Sequence, residues 1–249
     1  MKRAGNLYNR IVTSENIKIA YYKAKKGKRF KKDVLIYNQN LEKNLQNMQV
    51  ELINRNVTVG NYHFFKIFDP KERVICAADF RERILHHAIM NVMDPIFEKF
   101  QIFDSFACRK NKGTHKAVRR AFYFSKKYSY FVKMDIRKYF DSIDHAVLKN
   151  LLRRKIKDKS VLDLLDSIID SYAKTPGRGI PIGNLTSQYF ANFYLGFADR
   201  YIKETLKITG YVRYMDDMVI WGENQQKLNI CKDSITSHIK NMLKLDVKP

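Results

Sequence analysis

Twelve residues, Tyr211-Val-Arg-Tyr-Met-Asp-Asp-Met-Val-Ile-Trp-Gly222, constrain this chain more than any others. Apolar and aromatic side chains run up to two adjacent aspartates, Asp216 and Asp217, and run away from them again. That pattern predicts a β-hairpin with the carboxylates at its tip. Aspartate is a poor strand residue, and neighbouring carboxylates repel unless a positive charge lies between them. A divalent metal ion meets that need. A polar turn that happens to hold two aspartates fits the tetrapeptide Tyr214-Met215-Asp216-Asp217 equally well.

A third carboxylate separates the two readings. Asp135 lies in Phe131-Val-Lys-Met-Asp-Ile-Arg-Lys-Tyr-Phe-Asp-Ser-Ile-Asp-His145, where residues 130–136 read as a strand. Asp135 interrupts its apolar character near the C-terminal end, an expensive place for a carboxylate that is neither paired nor metal-bound. An aspartate followed by an aromatic at Phe140, and then Tyr-Met-Asp-Asp in a hairpin, resembles motifs A and C of reverse transcriptases. The resemblance implies that Asp135, Asp216 and Asp217, with Ile136 beside them, hold two Mg²⁺ ions, or Mn²⁺ in their place, for in-line nucleotidyl transfer. It makes Phe140 the bulky ring that occupies the space of a ribose 2′-hydroxyl, so that deoxynucleotides are preferred. A plain core phenylalanine is the alternative. Tyr214 and Met215 are placed against template or primer.

Other segments extend the resemblance. Phe65 to Pro95 and the basic, Gly-containing loop Asp104 to Ala117 resemble motifs 1 and 2 of reverse transcriptases related to bacterial group II introns. A fingers region is implied, with Arg73 and Arg109 on the incoming triphosphate, where guanidinium forks suit the geometry, and Lys112 behind them. Surface arginines in salt bridges are the competing reading. The Gly/Pro-rich stretch Thr175 to Asn192 runs into a helix capped by Asn184 or Thr186 and resembles motif B. It implies Ile182 and Gly183 at the nascent base pair and Ser187 and Gln188 at the template or primer; Gly183 permits a backbone approach that a side chain would block.

Most reverse transcriptases have Pro-Gln-Gly in motif B, with Ser-Pro a few residues on. This chain has Pro181-Ile182-Gly183 and Ser187-Gln188. Both departures resemble the enzymes of diversity-generating retroelements. That resemblance implies an RNA-directed DNA polymerase, error-prone at template adenines, whose partners are an RNA template, a DNA or RNA primer, dNTPs and a small basic helical accessory protein. Two alternatives stand beside it: a group II intron-type reverse transcriptase and maturase, and a non-catalytic RNA-binding relic, which would be expected to have lost one of the three aspartates.

Charge supports a nucleic-acid partner. The formal net charge is +22, and residues 1–33 hold eleven Lys/Arg against Glu15 and Asp33. The densest part is Lys23, Lys25, Lys26, Lys28, Arg29, Lys31 and Lys32. Such a balance favours a polyanion, with a merely solvated basic face as the alternative. Three widely spaced cysteines without a CxxC indicate a reducing compartment and no zinc site. No secretory signal opens the sequence, and its longest uncharged stretch, Gly179 to Ala198, is too polar for a membrane span. A cytoplasmic protein with no membrane partner is expected.

The fold expected is α+β: right-hand fingers and palm, with an antiparallel palm sheet backed by helices. The basic N-terminal region and fingers take 1–125, and the palm takes 126–249. The alternation in Leu243 to Pro249 reads as a strand barely started, so the sequence is expected to stop before the thumb. Within this frame Tyr62–Phe68 is a strand, Asp69-Pro70-Lys71-Glu72 a turn, and Val74-Ile75 the returning strand. Helices are predicted over 38–55, through Ile84 to Asp94-Pro95, through Val147 to Ile156, through Val161 to Tyr172 and through Leu228 to Met242. His86 and His87 are adjacent on a helix and diverge by about 100°, which suits core-edge positions better than metal ligands.

Overall fold

The computed structural model of the protein describes residues 3–68 and 71–249. Asp69 and Pro70 of the expected turn lie outside the described residues. The chain begins with helices α1 (Tyr8–Ile11), α2 (Ser14–Lys25), α3 (Lys32–Gln39) and α4 (Leu41–Ile53). Strands β1 (Tyr62–Phe68) and β2 (Glu72–Ala78) lead to α5 (Phe80–Phe100) and α6 (Thr114–Lys127). Then come β3 (Tyr130–Met134), α7 (Tyr139–Ser142), α8 (His145–Arg153), α9 (Lys159–Asp170) and α10 (Leu185–Arg200), which widens into a π-helical turn at Tyr201–Thr205. The hairpin β4 (Gly210–Tyr214) and β5 (Asp217–Gly222) precedes α11 (Gln225–Leu243). The architecture is α+β with antiparallel sheets, as expected.

By contacts the chain forms two units, residues 1–96 with 149–187 and residues 97–148 with 188–249. They interleave in sequence and are a different partition from the 1–125 and 126–249 expected from the resemblance.

The first unit is built on α1, α2 and α4, whose apolar stripe Ile11, Ile17, Ala20, Tyr21, Leu45, Met48 and Leu52 is buried. Thr13 caps α2 by accepting the Asn16 N–H, satisfying one of the donors a helix start leaves open. The buried Tyr8 hydroxyl donates to the Leu52 carbonyl at 2.6 Å. Asp158 accepts the Leu7 and Tyr8 N–H groups at 2.7 and 3.0 Å, so the N-terminal segment is fastened to the start of α9. The basic cluster spans the end of α2 and the exposed loop to α3. β1 and β2 pair antiparallel from Tyr62↔Ala78 to Phe68↔Glu72.

In the second unit three antiparallel strands run in the order β3-β5-β4. One face carries Val212, Val219 and Trp221, packed with Phe106 and with Ala117, Ala121 and Phe124 of α6. On the other, α11 packs against β3 and β5. The first helix to depart from expectation is α5, which continues past Asp94-Pro95 to Phe100. A helix-internal proline costs about 3 kcal/mol. Against that cost, Phe97 and Phe100 are buried among Phe193 and Phe197, with ring centroids 4.7–5.2 Å apart. Two buried phenylalanines contribute about 1.5–3 kcal/mol each, enough to carry the helix on. The motif 2 segment is likewise not all loop, since α6 starts at Thr114.

Candidate active site

The register of the sheet creates the site. Tyr214 pairs with Asp217 across the β4–β5 hairpin, leaving Met215 and Asp216 as its two-residue turn. Met215 has φ +55°. Positive φ at the first central position suits glycine best, and a non-glycine residue there stores about 1–3 kcal/mol. On the other side of β5, Met134 pairs with Met218. Asp135, the next residue along, therefore emerges beside Asp217 at the same end of the sheet. Strand pairing alone brings residues far apart in sequence to one edge.

Electrostatics shows that the three carboxylates sense one another. Burial first, and then repulsion from Asp135 and Asp217, holds the Asp216 carboxyl above the usual carboxylate range. Lys133 Nζ lies 3.0 Å from Asp217 Oδ1, and this hydrogen bond and charge raise the lysine's pKa. Lys248 Nζ donates to Asp135 Oδ2 at 2.7 Å. The Lys248 N–H also donates to the Asp135 carbonyl at 2.8 Å, and Arg137 N–H to Asp246, flanking a single antiparallel bridge between Ile136 and Val247. The strand start expected at the C-terminal end is thus one bridge residue. Ile136 itself has a buried side chain.

Among the described residues no three Asp, Glu, His or Cys side chains are arranged to hold a metal as they stand. The donor set nevertheless suits a hard divalent cation. Asp135 Oδ1 is buried without a hydrogen-bond partner, and a carboxylate oxygen in that condition calls for a positive ligand. Asp216 is penalised by two like charges that a cation would offset.

A buried network that sequence reasoning missed holds the turn. Arg213 is fully buried on β4 and forms a two-pronged ion pair with Asp199 of α10, Nε to Oδ1 at 2.8 Å and Nη2 to Oδ2 at 2.7 Å. Its Nη1 donates to the Met215 carbonyl at 2.9 Å and to Asn192 Oδ1 at 3.0 Å, and its Nη2 to Gln101 Oε1 at 3.2 Å. Tyr211 donates to Asp199 Oδ1 at 2.6 Å. One guanidinium thus grips the strained residue immediately before Asp216. The outer edge of β4 is covered: Arg213 N–H donates to the Asp104 carbonyl and Phe106 N–H to the Arg213 carbonyl. The sequence signal was a charged residue in step with the inward-facing Tyr211.

The remaining expected site residues divide. Arg109 does not stand ready for a triphosphate. Its guanidinium donates to both Glu98 oxygens at 3.0 and 2.6 Å and to the Ile102 and Ser105 carbonyls at 2.6 Å, and its side chain is 8% exposed. Those bonds use most of its donors, so the salt-bridge reading holds. Lys112 donates to the Phe103 carbonyl at 2.7 Å and lies over the Phe103 ring. Ser187 is 1% exposed inside α10 and offers no surface to a template. Gln188 is partly exposed. Tyr214 is exposed, and its hydroxyl accepts from Thr114 at 3.0 Å. Phe140 is partly exposed, edge-on to the buried Tyr139 with centroids 5.8 Å apart.

In the other unit Arg73 is exposed on β2, and the same strand receives the motif B loop. Cys76 N–H donates to the Ile182 carbonyl at 2.7 Å, and Ala78 N–H to Asn184 Oδ1 at 3.0 Å. Asn184 therefore spends its oxygen on β2 rather than on a cap of α10. Gly183 has φ +121°, and a Cβ there would lie 2.8 Å from Ile75 Cγ2 and 3.2 Å from the Cys76 carbonyl oxygen. The close approach expected of this glycine is made to β2.

The site can be set beside known proteins. The chain is similar to the COX1/OXI3 intron 2 protein of Saccharomyces cerevisiae, 26% identical over 76% of this chain, and to the group II intron-encoded protein LtrA of Lactococcus lactis subsp. cremoris, 28% identical over 58%. It spans 24% and 25% of those proteins' lengths. Among solved structures, an apo telomerase from Candida tropicalis shares the fold with a TM-score of 0.55 at 15% identity, over 76% of this chain and 48% of that one. A partial Cas6-RT-Cas1–Cas2 complex aligns at a TM-score of 0.50 and 21% identity, over 94% of this chain and 42% of that one. The model of the reverse transcriptase (RNA-dependent DNA polymerase) family matches residues 68–249, the larger part of the chain and all three aspartates. The chain belongs to the reverse transcriptase family.

Proposed function

We propose that this protein copies an RNA template into DNA, with Asp135, Asp216 and Asp217 as its catalytic carboxylates. The observation that carries the reading is the sheet register that places Asp135 beside the Asp216–Asp217 turn, with Asp135 Oδ1 buried and unpaired. Two Mg²⁺ ions, or Mn²⁺, bound by these carboxylates and the backbone at Ile136 would favour the ionised primer 3′-hydroxyl and offset charge on the leaving pyrophosphate. The chain's own contribution is positional. Arg213 fixes the turn through the Met215 carbonyl, Lys133 and Lys248 supply counter-charge to Asp217 and Asp135, and Phe140 disfavours ribonucleotides. Arg73 remains the candidate for the triphosphate, and Ile182, Gly183, Gln188, Tyr214 and Met215 for the nascent pair and primer. In this reading 1–125 supply the fingers role and 126–249 the palm role, in a cytoplasmic protein.

Two finer readings divide on residue 182. The strings Pro181-Ile182-Gly183 and Ser187-Gln188 support a diversity-generating retroelement enzyme, error-prone at adenines and working with a small basic accessory protein. Relatives named as intron-encoded proteins support a group II intron-type enzyme. The common activity is tested first. Asp216→Asn keeps the side chain's shape and removes its charge, so Mg²⁺-dependent cDNA synthesis by the full-length protein should be abolished while RNA binding, resting on distributed Lys/Arg contacts, survives. Near-normal synthesis by this variant would sink the assignment.

A further inference from the structure

A second place in the molecule has the chemistry of a nucleic-acid contact. The loop before α6 and the exposed face of α6 border an open, shallow cleft of about 550 Å³, lined by Phe103, Phe106, Asn111, Lys112, Lys116, Arg119, Arg120 and Tyr123. Four of the eight are cations and none is a carboxylate. Asp104 lies beneath, almost fully buried, with Arg120 Nε 2.8 Å from its Oδ1, so Arg120 is fixed in place. The aromatic members are open to solvent: Phe103 is 70% exposed and Tyr123 52%. The Arg120 guanidinium lies 5.7 Å from the Phe103 ring centre and 5.2 Å from that of Tyr123, between the two. Lys112 Nζ lies 3.6 Å from the Phe103 ring centre.

Folding alone does not require this arrangement. The buried stripe of α6 is Ala117, Ala121 and Phe124, which packs on Val212 and Trp221. Phe103 and Tyr123 stand outside that stripe, with cationic side chains held at their ring faces. Exposed rings interleaved with positive charge are what a single strand needs: unpaired bases stack on the rings and phosphates meet the cations. A duplex hides its base faces and gains only the charge. The position is also apt, because Thr114 at the start of α6 donates to the hydroxyl of Tyr214, the first residue of the catalytic turn.

The geometry points to this cleft as a binding site for a single-stranded segment of nucleic acid, with bases stacked on Phe103 and Tyr123 and phosphates on Lys116 and Arg119. The inference rests on the polymerase reading for its choice of ligand. It does not rest on catalysis, so its test is run with a fluorescent 20-nucleotide oligouridylate in EDTA without dNTPs, and with Asp216→Asn in parallel.

Replacing both exposed rings, Phe103→Ala with Tyr123→Ala, should lower affinity about tenfold or more while the thermal midpoint is kept. Lys116→Gln with Arg119→Gln should flatten the dependence of log K on log salt by about 1.4, or roughly 0.7 per single-strand phosphate contact. Oligouridylate should shield Lys112 and Lys116 from acylation. Unchanged affinity in the ring variant, or lysines that stay reactive in the complex, would overturn the proposal. An equal loss of affinity for a blunt RNA duplex would overturn its single-strand character. A polymerising Asp216→Asn variant would instead strike the catalytic reading and leave these readouts standing.

Discussion

The buried pair Arg213–Asp199 makes a demand on both stability and chemistry that can be separated by a double-mutant cycle. Asp199→Leu leaves a guanidinium fully buried without its counter-charge, and Arg213→Met strands the Asp199 carboxylate in the same place. Breaking a buried ion pair from one side costs about 3–5 kcal/mol, so independent effects would sum to roughly 6–10 kcal/mol. The double variant removes both charges. What it leaves unmatched is neutral: the Tyr211 hydroxyl, Asn192 Oδ1, Gln101 Oε1 and the Met215 carbonyl. At about 1 kcal/mol for each, the double variant should lose about 4 kcal/mol, comparable to one single variant and well short of the sum of the two. Urea unfolding of the four proteins measures this directly.

Activity should not recover with stability. The Nη1 bond to the Met215 carbonyl holds a residue at φ +55°, and a hydrogen bond from a charged donor is worth about 1.5–3 kcal/mol. Without it the turn relaxes and Asp216 leaves its place beside Asp135. Primer extension by the double variant should fall by about 10- to 100-fold while its RNA affinity stays unchanged. Two results would refute the reasoning: additive stability losses, which would mean the charges do not compensate each other, or a double variant extending primers at the parent rate, which would mean the turn needs no grip.

The retroelement reading predicts that Ile182→Gln lowers misincorporation opposite template adenine more than opposite other bases, by a few-fold to about tenfold for one hydrogen bond gained; sequencing cDNA made by both proteins on one template tests this, and an unchanged adenine error rate removes Ile182 as the cause. Gly183→Ala forces a left-handed φ on a residue whose Cβ would press on β2, so it should destabilise the protein by more than about 1 kcal/mol in urea unfolding. Burial first, then the charge of Lys23, lowers the His87 pKa to about 4. The fold therefore prefers neutral His87, and its stability is complete above the ordinary value near 6.5 and declines as pH falls toward 4. His87→Gln should weaken that decline in thermal unfolding between pH 7 and about 4.

The hairpin that carries Asp216 and Asp217 was legible because its signals are local. Two-residue alternation marks both strands, aspartates mark the turn, and the register follows from the turn's length. The placement of Asp135 was legible by resemblance and then by topology. Helix α6 was hidden for a different reason. Its composition, with five Lys/Arg and no acid, looks like a basic loop, and its stripe of Ala117, Ala121 and Phe124 is narrow and made largely of alanine. The alternation that puts Arg213 in step with Tyr211 marks it as inward-facing, but its partner was hidden: Asp199 belongs to a helix whose sequence ends in an ordinary polar pair, Asp199-Arg200. Nothing in the spacing says that this carboxylate faces inward.

The pairing of Arg109 with Glu98, which the sequence did not suggest, has a traceable cause. With α5 expected to stop at Asp94-Pro95, Glu98 lies in a connecting segment and has no reason to face Arg109. Once Phe97 and Phe100 are seen to draw the helix past the proline, Glu98 is carried with them and fixed on the turn between two buried rings. Its carboxylate can then take both prongs of the Arg109 guanidinium. Two further bonds to the Ile102 and Ser105 carbonyls hold together the loop that leads to Phe106 and α6. An arginine expected on the triphosphate thus fixes the base of the Phe103–Tyr123 cleft. The basic charge of this region serves two ends: Arg109 and Arg120 are tied down by Glu98 and Asp104, whereas Lys116 rests on the Asn111 carbonyl at 2.6 Å and, like Arg119, has no carboxylate partner among the ion pairs of the described residues. Sequence alone counts all four as equivalent positive charge. Only the paired carboxylates tell which of them are left for nucleic acid.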